Sequence, residues 1–199
     1  TGYKAVDVYL DGEDTCTITL SSNLTIGEGY SVYIGDAVLT VADGVTLTNK
    51  GLINISYFGS LCVEEGGSFI NLGRFGNYGT YENLGSETNT GDTNMMVYSY
   101  EELKAALDYF VDAGGSNNTL DICEDITIEE DITLGENIIL NLNGYDLTVP
   151  AGLTLTNNGV ICIDAHYINE AWIFVEEGAR LVNNGVIDCI NIENNGDFD

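Results

Sequence analysis

The 199-residue chain carries 32 acidic side chains against five basic ones, a formal charge of −27, yet 44% of its residues are hydrophobic and 10% aromatic. That apolar content excludes a disordered acidic tail and suffices for one large domain or two small ones. The cations stand singly at Lys4, Lys50, Arg74, Lys104 and Arg180, so no basic patch exists to neutralise phosphates, which argues against nucleic acid and anionic membrane surfaces as partners.

The charge is uneven, with 12 acids and 3 bases up to residue 95 and 20 acids and 2 bases beyond it, or −9 and −18. No apolar run approaches the roughly 18 residues of a membrane span, so this segment is expected not to insert into a membrane. Thr1 follows no initiator Met, basic n-region or apolar h-region, and reads as a boundary within a longer gene product. Five cysteines (Cys16, Cys62, Cys123, Cys162 and Cys189) form no Cys-x-x-Cys pair and lie mostly in apolar runs, which predicts buried free thiols rather than disulfides or a zinc site.

In chain order, the first strand-and-turn phrase is "LTIGEGYSVYI" (Leu24 to Ile34), which returns as "ITLGENIILNL" (Ile132 to Leu142) at an offset of 108. The same offset carries "LTVADGVTLTNKG" (Leu39 to Gly51) onto "LTVPAGLTLTNNG" (Leu147 to Gly159). "VEEGGSFINLG" (Val63 to Gly73) then matches "VEEGARLVNNG" (Val175 to Gly185) at 112, after four added residues, and "YENLG" (Tyr81 to Gly85) matches "IENNG" (Ile192 to Gly196) at 111. The chain is therefore read as two copies of one unit.

Within each copy, short alternating Val, Ile, Leu and Thr runs are punctuated by Gly, Asn and Asp, the pattern of short strands and turns. Recurrence of "TN-x-G" and "NLG" phrases suits solenoid coils of about 20 residues or more with two or three strands each. Glycine at the corners supplies positive φ, and stacked Asn side chains can form amide ladders between coils. A parallel β-helix explains this repetition; a β-sandwich has no reason to repeat one turn phrase at coil-like intervals.

The polar stretch "GSETNTGDTN" (Gly85 to Asn94) reads as a linker. After it, "SYEELKAALDYFVDAGG" has Ser99 three residues before Glu102, a capping box, with Leu103, Ala106, Leu107 and Phe110 on one face and Gly114 and Gly115 as a C-cap. The expectation is an all-β right-handed parallel β-helix with one amphipathic capping helix near 99–112. Its modules are two in tandem: residues 1–85, a linker at 86–95, and 96–199 with the cap helix at its start. A continuous stack with the helix looped out is the alternative.

The phrase "SYEELKAAL", followed by "LDICEDITIEEDITLGENIILNLNGYDLTVPAGLTLTNNG", resembles the opening of right-handed parallel β-helix modules of pectin-lyase-like type, found in bacterial secreted and cell-surface proteins. The likeness covers Ser99 to Gly159, and Leu24 to Gly51 through the internal repeat. It implies an extracellular or cell-surface location.

Polysaccharide lyases and hydrolases of that fold set carboxylates on adjacent coils beside Arg, Lys or His. Here Arg74 and Arg180 do not coincide in the repeat, and the one histidine, His166, lies in the inserted segment "DAHYINEA". Duplication without duplicated catalytic residues argues for shape, so no catalytic residue is assigned. The acidic run "CEDITIEED" offers Glu124, Asp125, Glu129, Glu130 and Asp131 as weak Ca2+ ligands, without the spacing of an EF-hand or a calcium-binding β-roll. The Thr-x-Thr pairs at Thr46/Thr48 and Thr154/Thr156 do not recur coil after coil and are explained by β-propensity. An aromatic platform for sugar is available from Tyr57 and Phe58 in the first copy and from His166, Tyr167 and Trp172 in the second. The resulting expectation is a non-catalytic structural or adhesive module of a larger cell-surface protein, requiring no cofactor and meeting glycans or other surface proteins. A carbohydrate-binding module is the alternative, and a degenerate polysaccharide lyase or hydrolase the third reading.

Overall fold

The computed structural model describes residues 4–6, 16–112, 115, 117–163, 170–188 and 190–199. It is an all-parallel β-solenoid of about eight turns, with one helix among the described residues. The chain divides into two compact units between Asn94 and Met95.

In the amino-terminal unit each coil contributes three short strands. The coils are β1 Lys4–Val6, β2 Cys16–Leu20 and β3 Leu24–Ile26; β4 Tyr30–Ile34, β5 Ala37–Val41 and β6 Thr46–Asn49; β7 Leu52–Ile55, β8 Ser60–Val63 and β9 Ser68–Asn71; and β10 Arg74–Asn77, β11 Thr80–Asn83 and β12 Ser86–Asn89. Like strands stack into three parallel sheets: a first face β1-β4-β7-β10, a second β2-β5-β8-β11 and a third β3-β6-β9-β12. Strand β13, Asp92–Val97, follows β10 on the first face. The stretch expected as a linker is therefore largely strand, and Ser86–Asn89 pairs in register with Ser68–Asn71.

The carboxy-terminal unit begins with helix α1, Tyr100–Asp112. Its coils are β14 Asn118–Ile122, β15 Ile126–Thr127 and β16 Ile132–Leu134; β17 Ile138–Asn141, β18 Leu147–Val149 and β19 Thr154–Asn157; β20 Val160–Cys162, β21 Trp172–Val175 and β22 Arg180–Asn183; and β23 Val186–Ile187, β24 Asn191–Asn194 and β25 Asp197–Phe198. Within this unit like strands again stack in parallel, as β14-β17-β20-β23, β15-β18-β21-β24 and β16-β19-β22-β25. The repeat offsets carry strand onto strand: Thr46–Asn49 onto Thr154–Asn157 at 108, Ser68–Asn71 onto Arg180–Asn183 at 112, and Thr80–Asn83 onto Asn191–Asn194 at 111. At that last offset Ser86 falls on Asp197, so the repeat reaches into the start of the expected linker.

Alternation along each strand sends every second side chain inward, and in-register pairing stacks those side chains into columns. Ile18, Leu39, Leu61 and Tyr81 make one such column, and Ile126, Leu147, Ile173 and Ile192 its counterpart. Leu61, Leu147 and Ile173 are fully buried, each stabilising the stack by about 1.5–3 kcal/mol relative to an exposed side chain. Across the third and fourth coils of the amino-terminal unit the interior turns aromatic. Phe69, Phe75 and Tyr81 meet edge-to-face at 5.2 to 5.9 Å, and the Tyr81 hydroxyl donates to Glu87 Oε2 at 2.8 Å.

Corner glycines serve two separate needs. Gly44 and its repeat equivalent Gly152 have φ of 71° and 83°, the left-handed conformation expected from the sequence. Gly51 and Gly159 do not; a Cβ at either would fall on the carbonyl oxygen of Tyr30 or Ile138 in the preceding coil. At these corners glycine is required by coil-to-coil approach, which corrects the purely conformational expectation.

Helix α1 forms as the sequence implied. The Glu102 N–H donates to Ser99 Oγ at 3.2 Å, while the Glu102 carboxylate accepts from the Tyr98 N–H at 2.7 Å, one residue before the usual capping-box partner. Tyr100, Leu103, Ala106 and Phe110 are buried, and Lys104 reaches Glu130 in the turn between β15 and β16, fixing the helix to the first coil of its unit. Gly114 of the expected C-cap lies outside the described residues.

Candidate functional site

Many polar side chains are used between coils. Asn49 is fully buried; its Oδ1 accepts from the Gly51 N–H at 3.0 Å, and its Nδ2 donates to Asn71 Oδ1 and to the Arg74 carbonyl, both at 2.8 Å. The ladder continues from Asn71 Nδ2 to Asn89 Oδ1 at 2.9 Å and from Asn89 Nδ2 to Thr93 Oγ1 at 2.9 Å. Asn157 repeats the arrangement, accepting from the Gly159 N–H at 3.1 Å and donating to Asn183 Oδ1 at 2.8 Å and the Val186 carbonyl at 3.0 Å. The "TN-x-G" phrase is thus a turn and an inter-coil amide ladder at once.

The acidic candidates for Ca2+ are distributed along the same scaffold. Asp125 Oδ1 accepts from the Asp146 N–H at 2.9 Å, and Asp131 Oδ1 from the Thr154 N–H at 2.7 Å. Asn23 makes the equivalent bond to the Thr46 N–H at 2.9 Å, so Asp131 holds a bracing position that needs an acceptor and no charge. Glu130 is paired with Lys104 at 2.6 Å; the hydrogen bond and charge of that ammonium hold its carboxyl below the usual range. Glu124 and Glu129 lie exposed in these turns. Among the described residues no three His, Cys, Asp or Glu side chains converge where they could hold a metal ion.

Of the two predicted aromatic platforms, the structure describes Tyr57 and Phe58 in the first copy and Trp172 in the second. His166 and Tyr167 lie outside the described residues. Trp172 opens β21, half-buried, with its ring stacked on Phe174 at 6.0 Å and 14° and its backbone N–H donating to Asp146 Oδ1 at 2.9 Å. Tyr57 and Phe58 occupy the turn between β7 and β8 in the other unit, 67% and 73% exposed and edge-to-face at 5.1 Å.

The thiols also differ from expectation. Cys16 is exposed, and Cys62, Cys123 and Cys162 are half-buried; Cys189 lies outside the described residues. The strands that carry these cysteines place them at positions flanking the inward columns: Leu61 and Val63 are buried on either side of Cys62. Partial burial is still the chief cause that pushes the Cys62 and Cys123 thiols up.

A groove that sequence reasoning missed runs along the first face of the amino-terminal unit. Two adjoining recesses, of about 530 and 210 Å³, share Tyr33, Leu52 and Arg74 as walls. Gly29, Gly51 and Gly73 leave the larger one open, Lys50 lies at its side and Ser31, only 8% exposed, lines it. Asn54, Tyr78 and Asn94 line the smaller recess. Registration explains the convergence: Ser31 pairs with Leu52 and Leu52 with Arg74, while Tyr33 pairs with Asn54 and Asn54 with Gly76. The signal in the sequence was that Lys50 precedes Gly51 and Arg74 follows Gly73, two corner glycines one coil apart.

Comparison with known protein families, curated proteins and solved structures found no match. What stands is the class of architecture, a parallel β-solenoid with an internal repeat. No helix among the described residues is long and apolar enough to cross a membrane.

Proposed function

We propose that this chain is a non-catalytic module of a larger extracellular or cell-surface protein, a stiff acidic spacer or adhesive arm built as a right-handed β-helix of pectin-lyase-like type. The observation that carries this reading is the reuse of the same polar bonds in both copies. Asn49 and Asn157 make matching sets of three, and Asn23 and Asp131 brace the following coil in the same way. Side chains so engaged hold coils in register, and what the duplication preserves is geometry.

Two measurements test the reading. An antibody raised against the chain should label intact cells of the source organism, and surface proteolysis should remove the label; antigen found only after lysis would overturn the surface assignment. Incubation with acidic and neutral polysaccharides, with and without Ca2+, should release no new reducing ends or unsaturated uronates. Robust turnover would refute the non-catalytic reading. A second reading, a carbohydrate-binding module, draws on the exposed Tyr57 and Phe58 pair, because aromatic faces left in solvent on a rigid turn suit the apolar faces of sugar rings.

A further inference from the structure

We propose that Asn184 is a spontaneous modification site, whose side-chain amide is lost by ring closure with Gly185 to leave aspartate and isoaspartate as the protein ages. The inference concerns the chemistry of the scaffold and depends on neither reading above.

The sequence narrows the search. An asparagine followed by glycine is the pair most prone to this reaction, because glycine leaves its own N–H uncrowded and its backbone free to turn. The chain has four such pairs, Asn143–Gly144, Asn158–Gly159, Asn184–Gly185 and Asn195–Gly196, all in the second copy. The repeat sets Lys50, Leu72 and Leu84 opposite Asn158, Asn184 and Asn195, while the following glycine is kept each time. Packing requires that glycine, since a Cβ at Gly185 would fall on the Gly159 carbonyl oxygen of the preceding coil. The residue before it can be leucine, so the reactive side chain is no requirement of the fold.

The structure separates the four pairs. In the reaction the glycine nitrogen gives up its proton and attacks the asparagine Cγ. The new C–N bond closes a five-membered imide while the Cγ–Nδ2 bond breaks and ammonia leaves; water then opens the imide at either carbonyl. A glycine N–H that already donates must first break that bond. The Gly159 N–H donates to Asn157 Oδ1 and the Gly196 N–H to Asn194 Oδ1, both at 3.1 Å. Asn143 is held differently: it is 7% exposed, and its Nδ2 donates to the Ile122 carbonyl at 3.1 Å, in a turn closed by the Tyr145 N–H on the Leu142 carbonyl. The Gly185 N–H makes no hydrogen bond among the described residues.

Ladder position explains the exception. Asn157 is a first rung, stacked on Leu134, so its Oδ1 is left to hold the Gly159 N–H. Asn183 is the second rung, and its Oδ1 accepts from Asn157 Nδ2 at 2.8 Å. The first copy divides the same way: Asn49, stacked on Ile26, holds the Gly51 N–H, whereas Asn71 Oδ1 accepts from Asn49 Nδ2. There the residue after the second rung is Leu72, which cannot react. Asn184 is exposed to the water that the second step consumes, and its Nδ2 bond to Asn158 Oδ1 at 2.9 Å is exposed too. Isoaspartate routes the main chain through its β-carbon and adds a methylene to this tight corner. Strand β23, in register with Val160 and Ile161, then loses its alignment and the last coil loosens.

Peptide mass spectrometry of the full chain, incubated in mildly alkaline buffer made with heavy-oxygen water, tests the proposal. Each event then adds about three daltons rather than about one, which sets it apart from deamidation during digestion. Residue 184 should convert at least about tenfold faster than Asn143, Asn158 or Asn195, because a held amide adds about one hydrogen bond to the barrier. In urea, where no such bond survives, the four should react at similar rates. Asn194→Ala frees the Gly196 N–H at an exposed corner and should speed Asn195 by about tenfold. Asn184→Leu takes the residue of the first copy, and its urea midpoint should survive an incubation that lowers that of the wild-type chain. Equal rates at the four sites in the folded chain, Asn158 or Asn195 reacting ahead of Asn184, or no response of Asn195 to Asn194→Ala overturns the proposal.

Discussion

Replacing Asn49 by alanine should be the most informative single test of the scaffold. The side chain is 0% exposed and makes three hydrogen bonds, to the Gly51 N–H, Asn71 Oδ1 and the Arg74 carbonyl. At about 1 kcal/mol net per bond the loss is about 3 kcal/mol, rising toward about 5 kcal/mol where a buried partner is left without water. For a chain of this size that corresponds to a fall in Tm of about 6–12 °C. Asn49→Asp should be worse at neutral pH, because a carboxylate would face Asn71 Oδ1 and the Arg74 carbonyl where the amide now donates. Burial raises the folded pKa of such a carboxyl, so its ionisation penalty is absent below the unfolded aspartate range and grows as pH rises toward the folded value. Urea unfolding followed by circular dichroism at acid and neutral pH reads both effects. Asn195→Ala is the control, since Asn195 is exposed and its side-chain amide donates to Glu193 alone among the described residues. A loss below about 1 kcal/mol for Asn49→Ala, or equal losses at the two sites, would refute the ladder's role.

Gly51→Ala should cost about 2 kcal/mol or more, because the added methyl meets backbone carbonyls of the preceding coil. Gly44→Ala, strained at φ 71° but facing open space, should cost only about 1 kcal/mol; the opposite order in urea midpoints would overturn the distinction between the two kinds of corner. The Glu130 carboxyl is held low by Lys104, so its contribution is present above the unfolded glutamate pKa and is lost as pH falls through the lower folded value. The midpoint difference between the wild-type chain and Glu130→Gln should accordingly appear at neutral pH and vanish in acid; a difference that persists there would show that charge is not its source. In a timed iodoacetamide reaction near pH 8, read by mass spectrometry, exposed Cys16 should alkylate before Cys62 and Cys123, whose thiols burial pushes up. Earlier labelling of Cys62 or Cys123 would contradict their placement.

The architecture was legible because a solenoid writes its geometry locally. A coil needs alternation for its inward columns and Asn and Gly at its corners, and two copies of "TLTN" give two matching strands, Thr46–Asn49 and Thr154–Asn157. The cap of α1 was equally local, since Ser99 and Glu102 are three residues apart. Residues 86–95 were misread because strand β12 carries polar side chains on both faces, and only pairing with β9 identifies it as a strand. Sequence by itself therefore determined the repeat, the coil and the identity of the corner residues.

Register between coils was decided by the tertiary structure. A strand spacing of about 4.8 Å brings together residues 18 or more apart in sequence, and nothing local shows which side chains then face the same space. That stacking makes Gly51 a packing residue and turns Asp131 into a brace. It also draws Lys50 and Arg74, apparently scattered charges, into one groove with Tyr33.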